Sequence, residues 1–409
     1  IQMKSTLKKE LNLTDVSLAT AGYIIGAGIY AIIGIASKYG KNYTWISILI
    51  SGISAICTGL SYSELATMFN QNAGEYIYTK EAFNGNVASF VAYLIILAEI
   101  LTQSTVAIGL GEHLNSLIPI NAKILSSSLL LIFGYLNYFG IRESINYNNV
   151  TTMMEISGLL IISLFGLKYV NKDSFDISNL NYKDLYPLLV GASIINFAYF
   201  GYDMAIELTE ETKDSINNIP KGMLIGVLIS TILYGTVTVS SISSIGWEKL
   251  ASSNTPLTDV AHKLLGAFGG KMMLLIALIS MSNTLLMGSV AGSRFIQSFS
   301  KNIELPFNLQ KIDKKTNTPI NAIIFITIVS IIGVFIGNLE KVTSLTNIST
   351  ISIFILMNLS VIVMRFTKPN HSRHFKVPFN INNVPVPSLI GLISSVIFIF
   401  VTISNSINV

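Results

Sequence analysis

Apolar residues along this chain gather in long blocks separated by polar segments, unlike the alternation of a strand or the one-sided stripe of a surface helix. Eleven blocks stand out, at residues 15–36, 45–69, 87–111, 122–140, 147–168, 186–207, 222–246, 272–296, 319–337, 341–365 and 386–407. A helix needs about 20 mainly apolar residues to cross the hydrocarbon core of a bilayer. The pattern therefore predicts an all-α membrane protein with eleven or twelve transmembrane helices. The connectors 171–185, 247–271, 297–318 and 366–385 are long.

The first and sixth blocks are uneven. The first holds Gly22-Tyr23-Ile24-Ile25-Gly26-Ala27-Gly28-Ile29-Tyr30 at its centre. The sixth holds Gly191 and then Asn196-Phe197-Ala198-Tyr199-Phe200-Gly201-Tyr202-Asp203. Glycine costs about 1 kcal/mol relative to alanine inside a helix, so clustered glycines invite unwinding. Backbone groups freed at that depth meet no water from the bilayer and must line a polar cavity within the protein. The amino end of the half-helix that follows offers free amides and partial positive charge, suited to a carboxylate. Glycine also serves close helix packing, and Gly22 and Gly26 alone fit that reading. Two such interruptions five blocks apart favour a central binding site built from broken helices.

Composition agrees with a membrane solvent: 51% of the 409 residues are apolar, 12% are charged and the mean hydropathy is +0.60. Cys57 is the sole cysteine, which excludes an internal disulfide and a cysteine metal cluster. His113, His262, His371 and His374 all lie in polar stretches, so no histidine pair marks a metal enzyme. A net charge of +4 is small for this length and gives no reason to expect a nucleic-acid partner. The first fourteen residues are polar, and the first apolar block is too long for a signal-peptide core. Counting lysine and arginine by side, a cytoplasmic N-terminus places 16 inside and 10 outside, which favours that orientation.

Several segments together resemble the amino acid–polyamine–organocation superfamily. Gly22 to Tyr30 is similar to its first-helix signature, Ser61-Tyr62-Ser63-Glu64-Leu65-Ala66 to the end of its second helix, and Gly74-Glu75-Tyr76-Ile77-Tyr78 to the loop after it. Phe197 to Asp203, Glu210-Glu211-Thr212 and Asn218-Ile219-Pro220-Lys221 resemble its sixth helix and the stretch just beyond. Gly292-Ser293-Arg294, Leu305-Pro306 and Thr318-Pro319 fit the region after its eighth. The resemblance runs from about residue 13 to 385 and implies two inverted five-helix repeats, 15–170 and 171–365, between a cytoplasmic segment 1–14 and a loop with helix 11 at 366–409. It also implies a substrate at the broken helices. Amides near Gly26, Ala27 and Gly28 would take its carboxylate, and carbonyls near Tyr23 and Phe197 to Phe200 its ammonium. Phe200 and Tyr202 would contact or gate it, or serve only bundle packing; Gly201 lies in the same break.

Three departures from the family stand out. The exit of the second helix reads Phe69-Asn70-Gln71-Asn72-Ala73-Gly74 in place of a proline with paired glycines. Asp203 stands where glutamate is commoner. Glu155 aligns with a lysine of proton-coupled members, reversing the charge.

Glu99, Glu155 and Asp203 fall inside apolar blocks with no basic residue at like depth. Such acids must be protonated, hydrated in a cavity or bound to a cation, or else hydrogen-bonded across helices as packing elements. Ion coupling by these acids is one reading; sodium held by Ser289 with first-helix carbonyls is another. Glu207, Glu210, Glu211 and Asp214 form either an inner gate with Arg142 or Arg294, or a solvated helix end. Arg365, Lys368, Arg373 and Lys376 mark the cytoplasmic face and are expected to meet anionic lipid.

The leading expectation is a secondary amino acid transporter working by alternating access, with no cofactor beyond a coupling proton or sodium. Its partners would be a small-molecule amino acid and the bilayer. A polyamine or organic-cation carrier and a non-transporting receptor or subunit of the same fold are the alternatives. No phosphate-binding loop argues for ATP drive, and no facing histidine, acid and hydroxyl argue for an enzyme.

Overall fold

The computed structural model describes residues 9–69, 74–115, 118–253, 255–301, 306–336 and 339–408. Asn70 to Ala73, part of one departure from the family, and Leu305, part of the resemblance, lie outside the described residues, as does the side chain of Arg142. Local chemistry sets where the helices start and stop. Asn12 and Asp15 cap each other reciprocally, through bonds of 3.0 and 3.1 Å, and open α1 (Leu13–Ile25). After one bend residue the chain resumes as α2 (Ala27–Gly40), and α3 (Thr44–Met68) and α4 (Gly74–Ala82) follow. Next come α5 (Gly85–Asn115), α6 (Ala122–Tyr138), started by the Asn121 side chain, and α7 (Ile141–Gly166), set off by Gly140 at φ 134°.

The second half runs through α8 (Leu185–Asn196), α9 (Ser215–Ile245), α10 (Trp247–Ser252) and α11 (Pro256–Phe299). Gly246 at φ 80° ends α9, and α11 turns at Gly266 (φ 73°), a conformation only glycine adopts readily. Last are α12 (Ile320–Ile336), α13 (Leu339–Thr367) and α14 (Val386–Asn408). Before α14 a small hairpin pairs β1 (Asn380–Ile381) with β2 (Val384–Pro385), turning through Asn382 and Asn383, both at positive φ.

Every apolar block corresponds to a helix or an interrupted pair of helices, so the protein is an all-α membrane protein. Among the described residues, eight helices are long and apolar enough to cross a membrane unaided. The first block is split, and α6 and α12 have 17 residues each. Helices in the connectors went unforeseen: α4, α10 and the stretch of α11 before Gly266 are too short or too polar to show as blocks.

Neighbour relations repeat with an offset of five blocks. The first block packs α1 on α9, as the sixth packs α8 on α3. The third packs α5 on α13, as the eighth packs α11 on α7; α5 also touches α12, as α11 touches α6. This arrangement brings the two uneven blocks together at the centre, with α14 lying outside against α13, α3 and α8.

Candidate functional site at the broken helices

Both uneven blocks lose helical backbone. The first breaks at Gly26 (φ −45°, ψ −140°), a residue with no side chain to cap the first amides of α2. The second leaves α8 at Asn196, makes a tight turn over Phe197–Tyr199, extends at Phe200 and reverses at Gly201 (φ 113°). It then continues as a 3₁₀ segment, Asp203–Glu211. Asp203 tightens this reversal, its carboxylate accepting the Gly201 amide at 3.1 Å.

The two breaks touch, and glycine permits it. A Cβ on Gly28 would lie 2.5 Å from Ala198 Cα, and one on Gly201 would lie 2.8 Å from Tyr23 Cβ. Gly22 and Gly26 sit against side chains of α7 and α11, so the packing reading of these glycines holds as well. The Tyr234 hydroxyl of α9 donates to both breaks, to Ile24 O at 2.6 Å and Ala198 O at 3.1 Å.

Between the breaks lies a narrow cavity of about 70 Å³. Tyr23, Gly28, Phe197, Phe200, Gly201, Glu99 and Asp203, all singled out from sequence, line it. Phe197 and Phe200 pack ring to ring at 5.6 Å on one wall. Thr284, Gly288 and Gly292 present one face of α11, and Gly292 leaves room for Glu99, whose Oε2 would be 3.2 Å from a Cβ there. Two further acids complete the lining, Glu75 from α4 and Glu207 from the 3₁₀ segment.

Other expected residues lie elsewhere. Tyr202 is buried and stacks on Phe354 at 5.3 Å, with Tyr62 at its edge, so its ring packs the bundle and does not line the cavity. Ser289 was expected beside first-helix carbonyls, but it faces α6, accepting from Asn137 Nδ2 at 3.1 Å. One residue past Gly288 is a 100° rotation, which turns it off the cavity face. Glu155 is fully buried between α7 and α11 near Ser280 and Asn283, with neither carboxylate oxygen in hydrogen-bonding geometry, and it is not among the cavity-lining side chains.

The charged helix ends are not merely solvated. Arg294 is buried, donates to Asn137 Oδ1 at 2.9 Å and pairs with Glu211 at 3.5 Å. Arg365 and Arg373 were expected to meet lipid; instead they close on Glu64 at the end of α3. Arg365 donates to it at 2.7 and 2.6 Å, Arg373 at 3.0 Å and the Val377 amide at 2.8 Å. Lys368 pairs with Glu81 at the surface. Sequence reasoning missed Tyr234 altogether, although a tyrosine in the middle of an apolar block is itself a signal, and it met Glu75 only inside a family motif.

A family model described as amino acid permease matches residues 11–408. The chain belongs to the amino acid permease family. It is an integral, multi-pass membrane protein and not an enzyme. The permease is similar to the branched-chain amino acid permease BcaP of Bacillus subtilis (strain 168), 26% identical over 92% of this chain and 85% of that one. It is also similar to the methylthioribose transporter of the same bacterium, at 25% over 95% and 88%. Cationic amino acid transporter 5 of Arabidopsis thaliana is 25% identical over 89% of this chain and 67% of its own.

Proposed function

We propose that this permease is a secondary active amino acid transporter, working by alternating access with its substrate held between the two interrupted helices. The observation that carries the reading is the amino end of α2, begun at a glycine with no side chain of its own to cap it, at a cavity where Gly28 and Gly201 let two backbone breaks meet. Amides at Ala27 and Gly28 hold the substrate carboxylate, and carbonyls at Tyr23 and the Phe197 turn face its ammonium. Family membership supports the substrate class, since relatives are named for branched-chain and cationic amino acids. Buried acids, Glu99 and Asp203 in the cavity and Glu155 behind it, support coupling to a proton or another cation. The excess of basic residues on one side supports a cytoplasmic N-terminus. A polyamine carrier is the second reading, favoured by the four carboxyl side chains that line the cavity.

Purified permease in proteoliposomes preloaded with amino acids tests this. Counterflow of a labelled amino acid is expected, and Gly28→Val should abolish it, because the new side chain would drive into Ala198 and displace the amides of α2. Binding without counterflow would make the protein a receptor or subunit; full counterflow by the folded variant would move the substrate elsewhere.

A further inference from the structure

Away from the central cavity, a larger recess opens on the outside of the bundle. Its volume is about 670 Å³, within the range of ligand-binding pockets. Residues of α1, α7 and α11 line it, and none of them lines the cavity between the breaks. One face of α7 forms its length. Asn149, Met153, Ser157 and Ile161 recur every fourth residue along it, the spacing of neighbours on a helix surface. Gly158 lets α11 come close there, since a Cβ on it would lie 2.9 Å from Ile276 Cδ1. Leu18 of α1 and Met272 and Leu275 of α11 supply further walls.

This face looks outward. Val150, Met153 and Leu275 are 64%, 54% and 56% exposed, on helices long and apolar enough to cross the membrane. The recess therefore faces lipid, and the bilayer supplies its occupant. A convex lipid-facing surface is covered by any passing tail. A concave one left unfilled forfeits the dispersion contacts of its lining, so a chain lying in it is held while tails elsewhere exchange.

Length and polarity select the occupant. Asn149 and Ile161 are twelve residues apart on α7, about 18 Å at 1.5 Å per residue, a little over half of a ~30 Å hydrocarbon core. The recess begins beside the polar run Asn146-Tyr147-Asn148-Asn149 and continues into the apolar block. At that end Asn149 donates to Asp15 Oδ1, in the first turn of α1, at 2.9 Å. Among the described residues, Ser157 is the only other polar side chain in the lining, and its hydroxyl donates to Met153 O at 2.7 Å. A polar mouth with an apolar channel along the membrane normal is the outline of a lipid tail below its headgroup. Met153, Met154 and Met272 are unbranched and adaptable, suited to a chain with no fixed shape.

We propose that this recess holds one acyl chain of a bilayer phospholipid as a bound ligand, from the leaflet on the side where α1 begins. Through Leu18 the tail touches the first broken helix as well as α7 and α11. The inference is independent of the transport reading, and its test needs no substrate.

The probe is a phosphatidylcholine with a photoactivatable diazirine midway along one acyl chain, mixed into phosphatidylcholine vesicles that hold the purified permease. After illumination and digestion, mass spectrometry reads the label on each segment. Segments 149–161 and 272–276 are expected to carry at least about fivefold more label per exposed residue than α6 and α14. Leu131 of α6 and Phe400 of α14 are 56% and 69% exposed and lie outside the recess, so exposure alone predicts no difference. Ser157→Trp fills the recess without loosening the core, because Ser157 is exposed and bonds its own helix. It should bring both segments down to the level of α14 with the thermal midpoint unchanged. Val150→Trp, nearer the mouth, repeats the test if the first variant fails to fold. Equal labelling of the recess, α6 and α14 in the wild-type protein overturns the proposal, since lipid then passes without being held. Recess labelling that persists in the folded variants overturns it too. Label absent from the recess while Met153→Cys forms disulfides between copies seats a second copy of the chain there in place of lipid.

Discussion

One hydroxyl joins the two breaks. Tyr234 gives its proton alternately to carbonyls of Ile24 and Ala198, backbone groups that unwinding has deprived of helical partners. Removing it leaves two buried acceptors undersatisfied, at a cost of about 1–3 kcal/mol. Tyr234→Phe should therefore lower the thermal midpoint of the purified protein measurably and weaken substrate binding; a variant with both quantities unchanged would mean the bridge does not hold the breaks. At this scale the sequence is unevenly legible. Glycine clusters at 22–28 and around 201 announce themselves because unwinding is a property of local backbone chemistry. Tyr234 does not, because its partners are 210 and 36 residues away in the chain. Ser289 was misplaced for a related reason: block boundaries locate a helix along the membrane normal but leave its rotation undetermined.

Helix ends carry the next level of organisation, and their charges sort by burial. Glu64 of α3 gathers Arg365 at the end of α13, Arg373 from the loop beyond and the Val377 amide, tying the second and tenth blocks and the connector after the tenth at one point. Side chains in this cluster are at most 7% exposed, whereas Lys368 and Glu81 are 31% and 39% exposed. Truncating one member of a buried charge cluster typically costs about 3–5 kcal/mol, because the remaining charges lose compensation. Exposed pairs are worth under about 1 kcal/mol. Glu64→Ala should thus depress the thermal midpoint strongly and Lys368→Ala hardly at all; similar effects from both would disprove the ranking. Counting basic residues finds the face of the membrane on which they are expected but says nothing about whether an acid on another helix claims them. Elements themselves were legible where apolar length alone decides, as in α3, α5 and α9. Short helices in polar connectors, such as α4, were not, although α4 delivers Glu75 to the cavity.

Across the whole molecule, α1 before the first break and the Asp203–Glu211 segment after the second form one body on the side of the chain's beginning. Amides of Glu10 and Leu11 donate to Glu211 O at 2.9 and 3.0 Å, and the Lys213 amide donates to Leu11 O at 2.8 Å. The residues leading into α1 and the end of the Asp203–Glu211 segment are thereby zipped backbone to backbone. Arg294 fastens this body to the rest, since its guanidinium grips Glu211 while its other bonds are to Asn137 of α6 and to α11 itself. Under the proposed alternating access, opening the cavity on this side would part that joint, whereas the zipper can stay closed. Arg294→Gln removes the charge and the grip on Glu211 without touching the zipper. Hydrogen exchange should then accelerate together over residues 10–22 and 203–213, in one cooperative unit, while α14, which packs on α13, α3 and α8, keeps its wild-type protection. Faster exchange in 203–213 alone would show that the zipper yields before the joint and that the two half-helices move separately. Unchanged exchange in both would show that Arg294 does not hold this side shut, leaving the grip on Glu211 a matter of stability and not of access.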